Sequence, residues 1–252
     1  MTDKDEIKVK SLHKAIEVLN CFTEKSLLGV TEISEKLGLY KSNVHSILTT
    51  FKAMDYLEQD EESGKYRLGM AVFTLCRALG DSFSITKVAM PYMQELANLT
   101  NERVYLGIPD GDEVIYLESM YPAESFNLMR MLMGERAKMY CTGIGKAMLA
   151  NLPEERIEDC ISRNLTAFTE HTIVDKEKLR EELKITKERG YAIDDMEHEF
   201  GIRCVAMPIF NKYGKLEAAV SISGPSLRFD DDKISEFAHL LSQYIKKIES
   251  RL

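Results

Sequence analysis

The sequence predicts an α+β protein in two parts, and three observations carry that reading. The first is a set of short amphipathic helices followed by one small hairpin within residues 1–69. The second is the order of elements after residue 85, which runs helix, strands, helices, strands, helix. The third is the stretch Gly190–Arg228. There an acidic run precedes two apolar runs joined by Asn211-Lys212-Tyr213-Gly214-Lys215, which reads as a strand pair.

The N-terminal part begins with a helix over Ser11–Phe22. Leu12, Ala15, Ile16, Leu19 and Phe22 fall at helical spacing, and Ser11 is placed as N-cap. Thr31 opens a second helix, Glu32–Leu37, and Gly38 stands where a helix stops. Ser42 caps a third helix from Asn43 to about Met54. Its buried stripe is Val44, Ile47, Leu48 and Phe51, which leaves Asn43, His45, Ser46, Thr49, Thr50 and Lys52 pointing outward. A short helix, a tight turn and a polar-faced second helix make a helix-turn-helix. Tyr56–Gln59 and Lys65–Leu68, joined by Asp60-Glu61-Glu62-Ser63-Gly64, form a hairpin beside it, in the place of a wing. Gly69–Ser84 reads as a connecting helix with Val72, Leu75, Cys76 and Leu79 on one stripe. The expected division is 1–69 for the winged helix-turn-helix, 70–84 for the linker and 85–252 for a second domain.

In that second domain, Pro91 is expected in the first turn of a helix ending at Thr100. Val104–Ile108 and Val114–Leu117 are strands joined through Pro109-Asp110-Gly111-Asp112. Phe126–Met133 is Met-rich, apolar and interrupted by Arg130. Thr142-Gly143-Ile144-Gly145-Lys146 opens a helix ending near Asn151. Further helices span Pro153–Ser162 and Lys176–Arg189, and Asp230 caps a last one from Asp231 to about Ser250. In the strand pair, Leu216, Ala218, Val220 and Ile222 share one face while Ala219, Ser221 and Ser223 share the other. Cys204, Ala206 and Phe210 alternate with Val205, Met207 and Ile209. Pro208 has no N–H for a ladder, so the first strand is expected at a sheet edge or at a bulge.

Bulk properties narrow the function. A composition of 44% hydrophobic and 29% charged residues is that of a soluble globular protein. The five cysteines form no CxxC pair, which argues against a zinc ribbon or a redox motif. No apolar run reaches the roughly 18 residues of a membrane span, and Met-Thr-Asp-Lys-Asp-Glu is too charged for a signal peptide, so a cytoplasmic protein is expected. The net charge of −8 opposes indiscriminate nucleic-acid binding but not a local DNA surface. Residues 1–69 hold 10 Lys+Arg against 12 Asp+Glu, yet Asn43–Lys52 contains no acid. That segment suits major-groove recognition, with a DNA-facing set of Thr31, Lys41, Ser42, Asn43, His45, Ser46, Thr49, Lys52 and, from the wing, Lys65. The acidic tip Asp60-Glu61-Glu62 favours the competing reading, a module for protein contacts.

Two stretches carry possible small-molecule chemistry. Thr142-Gly143-Ile144-Gly145-Lys146-Ala147 is not a phosphate loop, because GxxxxGK[ST] would need Gly where Tyr140 stands and Ser or Thr where Ala147 stands. A glycine turn at a helix start still offers backbone N–H groups to an anion such as a small carboxylate, unless the glycines serve packing alone. Asp194, Cys204, Ser221 and Ser223 read as the lining of a pocket, against the alternative of an ordinary amphipathic hairpin. Cys141, His198 and Cys204 suggest a metal-sensing site or a Cys–His pair, but their spacing matches no metal motif. A lone cysteine in an apolar strand is more often a wall residue than a nucleophile, and no cofactor is implied.

Together these residues make the chain resemble the IclR family of bacterial transcriptional regulators over essentially its whole length. Ser11–Leu19, Thr31-Glu32-Ile33 and Lys41–His45 carry the first part of the match. Cys141-Thr142-Gly143 with Gly145-Lys146-Ala147 carry the second. Gly190, Asp194, Glu197, Cys204-Val205-Ala206 and Ile209-Phe210-Asn211 carry the third, with Ser221–Pro225 behind them. The resemblance implies a winged helix-turn-helix, a linker helix and a GAF-like α/β effector-binding domain. It implies a regulator and not an enzyme, a homodimer or homotetramer on a double-stranded DNA operator, and a small carboxylic, keto- or hydroxy-acid as effector. It assigns effector contacts to Thr142, Gly143, Asp194, Cys204, Ser221 and Ser223, with an apolar wall at Leu128 and Met129. One departure is that the recognition helix of such proteins usually has Arg after the His, where this chain has Ser46. Asp194 would repel a carboxylate, so it is expected to accept a hydrogen bond from a hydroxyl or a backbone group.

Overall fold

The computed structural model describes residues 7–82, 84–123 and 134–252. The chain divides into two compact units, 1–82 and 83–252.

In the first unit, α1 (Lys10–Asn20), α2 (Val30–Leu37) and α3 (Lys41–Ala53) precede β1 (Leu57–Gln59) and β2 (Tyr66–Leu68), and α4 (Met70–Ser82) follows. Val18, Phe22, Ile33, Val44, Leu48, Leu57 and Tyr66 form one core. Of the expected α3 stripe, Val44 and Leu48 are fully buried, whereas Ile47 and Phe51 pack at its margin. β1 and β2 pair antiparallel as the expected wing, and Leu28 bridges to Tyr66 as a third short partner.

The helix starts differ from the sequence reading. α1 begins at Lys10 and α3 at Lys41, with Val9 and Tyr40 in the cap positions and no side-chain cap bond at either. Ser11 and Ser42 therefore lie inside the first turns. α2 begins before Thr31: Glu32 reaches back to accept the Gly29 N–H at 2.8 Å, doing the work of a capping side chain. Gly38 ends α2 at φ 65°, as expected of a glycine stop.

The second unit is an antiparallel sheet of six strands in the order β5-β4-β3-β8-β7-β6. Its elements are α5 (Ser84–Thr100), β3 (Arg103–Asp110), β4 (Glu113–Met120), β5 (Arg136–Lys138), α6 (Gly143–Leu149), α7 (Glu154–Ser162), α8 (Lys176–Arg189), β6 (Ala192–Asp195), β7 (Ile202–Phe210), β8 (Leu216–Pro225) and α9 (Asp231–Glu249). α5 and α9 cover one face, packing Met93, Leu96, Phe237 and Leu241 on Val104, Leu106, Val205 and Val220. α6, α7 and α8 cover the other, packing Ile144, Met148, Ile161 and Leu179 against Tyr105, Ala206 and Ala219.

Three expectations are corrected here, and that for Pro208 is met by its second alternative. Pro91 lies inside α5, not in its first turn. A mid-helix proline costs about 3 kcal/mol. The helix nevertheless continues on both sides, because Ile85 and Ala89 before it and Met93, Leu96 and Ala97 after it are all buried. Large apolar side chains at about 1.5–3 kcal/mol each outweigh the lost bond. β7 is not an edge strand, since it lies between β8 and β6. β6 pairs only as far as Ala206, however, so Pro208 has a single neighbour, and the register shift sits beside it at Ile209/Phe210. That shift skips Glu217, pairing Phe210 with Leu216 and Ile209 with Ala218. Leu216 is thereby turned to the α6 side, away from the face of Ala218, Val220 and Ile222. Finally, the acidic run before β7 contains a strand, β6, that the sequence reading passed over. No helix among the described residues is long and apolar enough to cross a membrane.

Candidate functional site

On the first unit, α3 presents a polar surface. Lys41, Ser42, Asn43, His45, Ser46, Thr49 and Lys52 are exposed, as is Thr31 on α2. The hydroxyls of Ser46 and Thr49 donate back to the carbonyls of Ser42 (3.0 Å) and His45 (2.8 Å). Their lone pairs are left facing outward, so this surface offers acceptors where an arginine would offer donors. Lys52 donates to Gln59 Oε1 at 2.9 Å, and Lys65 lies 2.9 Å from Glu32 Oε2. Lys25 and Lys65, with the Gly29 N–H, hold the Glu32 carboxyl down at about 2. The acidic wing is partly occupied by its own structure. Asp60 accepts the Ser63 N–H at 2.8 Å, and Glu58 pairs with Arg67 at 3.1 Å.

On the second unit, a cavity of about 800 Å³ opens on the α6 side of the sheet. Thr142, Gly143, Asp194, Cys204, Ser221 and Ser223 all line it. Leu128, Met129 and Arg130 lie outside the described residues. The register explains the convergence. Asp194 on β6 stands opposite Cys204 on β7, and Cys204 opposite Ser223 on β8. One row along, Ala206 stands opposite Ser221. Opposed residues of an antiparallel ladder share a face, so strands far apart in sequence deliver these side chains side by side. Ser221 Oγ and Ser223 Oγ are 3.4 Å apart. Gly143 closes the wall from above; a Cβ there would lie 3.3 Å from that of Cys204.

Asp194 is buried, and its carboxyl is pushed up to about 7 by burial first and by the Glu197 carboxylate second. Its Oδ1 accepts the Glu197 N–H at 2.8 Å, the backbone partner expected of it. Its Oδ2 lies 3.9 Å from Cys204 Sγ. The turn that supplies this N–H is held from outside. Thr169 Oγ1 donates to the Met196 carbonyl at 2.7 Å, and Thr172 Oγ1 to the Glu197 carbonyl at 2.6 Å. Inside, Glu197 pairs with Nζ of Lys146, which is 1% exposed.

Sequence reasoning passed over four groups of this region. Lys146 stands in the sequence as the end of a glycine turn, with nothing there to show that it is buried. Tyr105 and Tyr116 line the cavity with rings 5.7 Å apart in an edge arrangement, and burial pushes both phenols up. Arg103 also lines it. The expected strand began at Val104; starting it one residue earlier puts Arg103 on the same face as Tyr105.

The two glycines of the α6 turn have different tasks. Thr142 Oγ1 accepts the Gly145 N–H at 3.1 Å and caps the helix. A Cβ at Gly145 would meet the Met139 backbone at 2.4 Å, so this glycine serves close packing, whereas Gly143 borders the cavity. Gly145→Ala is expected to cost about 1–3 kcal/mol through the forced shift, read as a lower urea midpoint. An unchanged midpoint would mean that α6 has room to move.

The metal and nucleophile readings find no support. No group of three or more His, Cys, Asp or Glu among the described residues is arranged to hold a metal ion. His198 Nδ1 lies 3.9 Å from Cys141 Sγ, and burial pushes the Cys141 thiol up to about 12. The Cys204 thiol is raised well above its ordinary value, chiefly by burial. At the mouth of the cavity Arg228 makes a two-point ion pair with buried Glu102, at 2.6 and 2.9 Å. Gly224 packs so tightly against that carboxylate that a Cβ would lie 2.5 Å from it.

Comparison with known proteins matches the family model for the bacterial transcriptional regulator IclR C-terminal domain over residues 77–250. The model for the IclR helix-turn-helix domain matches residues 11–61. The chain is 35% identical to the transcriptional regulator XynR of Escherichia coli, covering 93% of this chain and 94% of that protein. It is 32% identical to KdgR of the same organism, covering 99% and 95%. Among solved structures, the IclR of Thermotoga maritima superposes with a TM-score of 0.79 at 30% identity, covering 96% and 98%.

Proposed function

This chain belongs to the IclR family of bacterial transcriptional regulators, with a DNA-binding helix-turn-helix and a C-terminal effector domain, and from that premise we propose that it senses a small organic acid. The observation that carries this reading is the convergence of Thr142, Gly143, Asp194, Cys204, Ser221 and Ser223 on one cavity. Backbone N–H groups of the α6 turn, the two hydroxyls and Asp194, whose carboxyl is pushed up to about 7 by burial, suit a keto- or hydroxy-acid.

α3 is the recognition helix in this reading, with Asn43, His45, Ser46 and Thr49 toward base edges. Lys41, Lys52, Thr31, Ser42 and Lys65 hold phosphates. A homodimer or homotetramer on a palindromic operator is proposed as well, with half-sites about 34–36 Å apart or a multiple of it. Its support is the apolar surface that the first unit leaves exposed, Leu12 and Ile16 on α1 and Met70 and Phe73 on α4. The effector changes operator affinity only through unequal affinity for two conformations.

The test is fluorescence anisotropy on DNA from upstream of the protein's own gene. Salt-sensitive binding is expected, and Asn43→Ala or His45→Ala is expected to weaken it roughly 5- to 100-fold with an unchanged melting temperature. A Ser221→Ala/Ser223→Ala double variant is expected to bind DNA normally and to lose its response to acids. Binding to no such DNA at any salt would sink the recognition surface; an intact response in the double variant would sink the pocket.

A further inference from the structure

We infer that Arg103 is the charge-selecting residue of the effector cavity: it takes the anionic group of the ligand, while Asp194, at the far end of the same row, takes an uncharged hydrogen-bonding end. This rests on the cavity being the effector site.

The row is written in the register. Asp194 faces Cys204, Cys204 faces Ser223, and Ser223 faces Arg103 on β3. All four line the cavity. Strands are about 4.8 Å apart, so the three steps place the backbones of the two ends about 14 Å from each other. A carboxyl group ends the row on one side and a guanidinium ends it on the other, with a thiol and a hydroxyl between.

The other arginines among the described residues of the wall are engaged. Arg228 is bound to Glu102 at two points. Arg136 is paired with Asp110 and Glu113. Arg103 differs. Its contacts are a hydrogen bond from Nη1 to the Tyr105 hydroxyl at 3.2 Å and a position 5.9 Å over the Tyr121 ring. It has no carboxylate partner among the described residues. A half-buried guanidinium with only a neutral phenol and a ring beside it is an unused site for a carboxylate.

Asp194 imposes the opposite demand. Its Oδ1 is already taken by the Glu197 N–H, and Glu197 adds negative charge behind it. A ligand carboxylate placed there would meet like charge, whereas a hydroxyl would find an acceptor. Ser221 and Ser223 lie between the ends. The ligand class that satisfies the row is therefore a hydroxy acid held lengthwise, acid at Arg103 and hydroxyl at Asp194.

The test is thermal-shift titration of the full-length chain with glycolate, lactate, glycerate and gluconate, each against its primary amide. The wild type is expected to discriminate acid from amide. Arg103→Gln should weaken the preferred acid roughly 10- to 100-fold and erase the discrimination. Arg103→Lys should keep part of it, and Arg180→Gln, a change outside the cavity wall, should behave as wild type. Urea midpoints for each variant separate a lost contact from a lost fold. Acid binding by Arg103→Gln within about threefold of wild type, or amides that match their acids, would overturn the role of Arg103 alone. Stabilisation of the wild type by none of the acids would instead sink the small-acid reading, and this inference with it.

Discussion

Lys146→Ala is expected to destabilise the C-terminal unit by about 3–5 kcal/mol, because it breaks a buried ion pair from one side. Lys146 is 1% exposed, with Nζ against Glu197 and 3.7 Å from Glu182 Oε1. Its removal leaves two carboxylates facing each other, one of them buried. Glu197 Oε2 already lacks a hydrogen-bond partner among the described residues, so nothing there replaces the lost ammonium. In a unit of this size the loss corresponds to a melting temperature lower by about 6–20 °C. Urea unfolding followed by circular dichroism measures it. A Lys146→Met/Glu197→Met double variant should recover much of the loss, since an apolar pair needs no compensation. A single variant within about 1 kcal/mol of wild type would show that Glu197 is stably held without its lysine.

The second large effect is a dependence on pH set by Asp194. Its carboxyl titrates at about 7 in the fold, held up by burial and by Glu197. In the unfolded chain an aspartate titrates near 4. Below that value both states carry the proton and Asp194 costs nothing. As pH rises, the unfolded chain releases its proton first while the fold retains it. The contribution of Asp194 to stability therefore falls between about pH 4 and 7 and levels off above, by on the order of 4 kcal/mol. Other groups titrate in this range, so the informative quantity is the difference between Asp194→Asn and wild type. That difference is expected to move steadily in favour of the asparagine variant from pH 4 to 7, because Asn has no proton to release while it keeps an acceptor for the Glu197 N–H. A flat difference would place the Asp194 carboxyl in its ordinary range. The two effects are coupled, since Lys146 pulls Asp194 down. Lys146→Ala should therefore push the Asp194 titration higher still.

The parts of the fold that could be read from the sequence are those set by local periodicity. Val44 and Leu48 mark the buried side of α3, and the polar residues between them face outward as their spacing requires. Lys176–Arg189 and the Asp230 cap of α9 were also readable, because cap and stripe agree there. Tertiary demands decided the rest. Pro91 sits mid-helix because apolar residues on both sides of it are buried. Ser11 and Ser42 look like caps but are overtaken by helices that begin one residue earlier. β6 was hidden because Asp194 and Asp195 in a four-residue strand mask its alternation, although Ala192 and Asp194 both point inward. The extra residue Glu217 reverses Leu216, and period-two reading cannot anticipate a bulge. Arg103 and Asp194 belong to one row only because β3 lies against β8, a pairing fixed by strand order.

The contact between Gly224 and the Glu102 carboxylate has a consequence for sequence drift. A side chain gained at position 224 would force the end of the Glu102 side chain to shift. Such a shift loosens the two-point hold on Arg228, so that Arg228 joins Arg103 as an arginine of the described cavity wall without a firm carboxylate partner. The smallest change at residue 224 would thus alter which ligands the mouth attracts. Positions 102, 224 and 228 should be inherited as a set, so that effector preference changes through the three together.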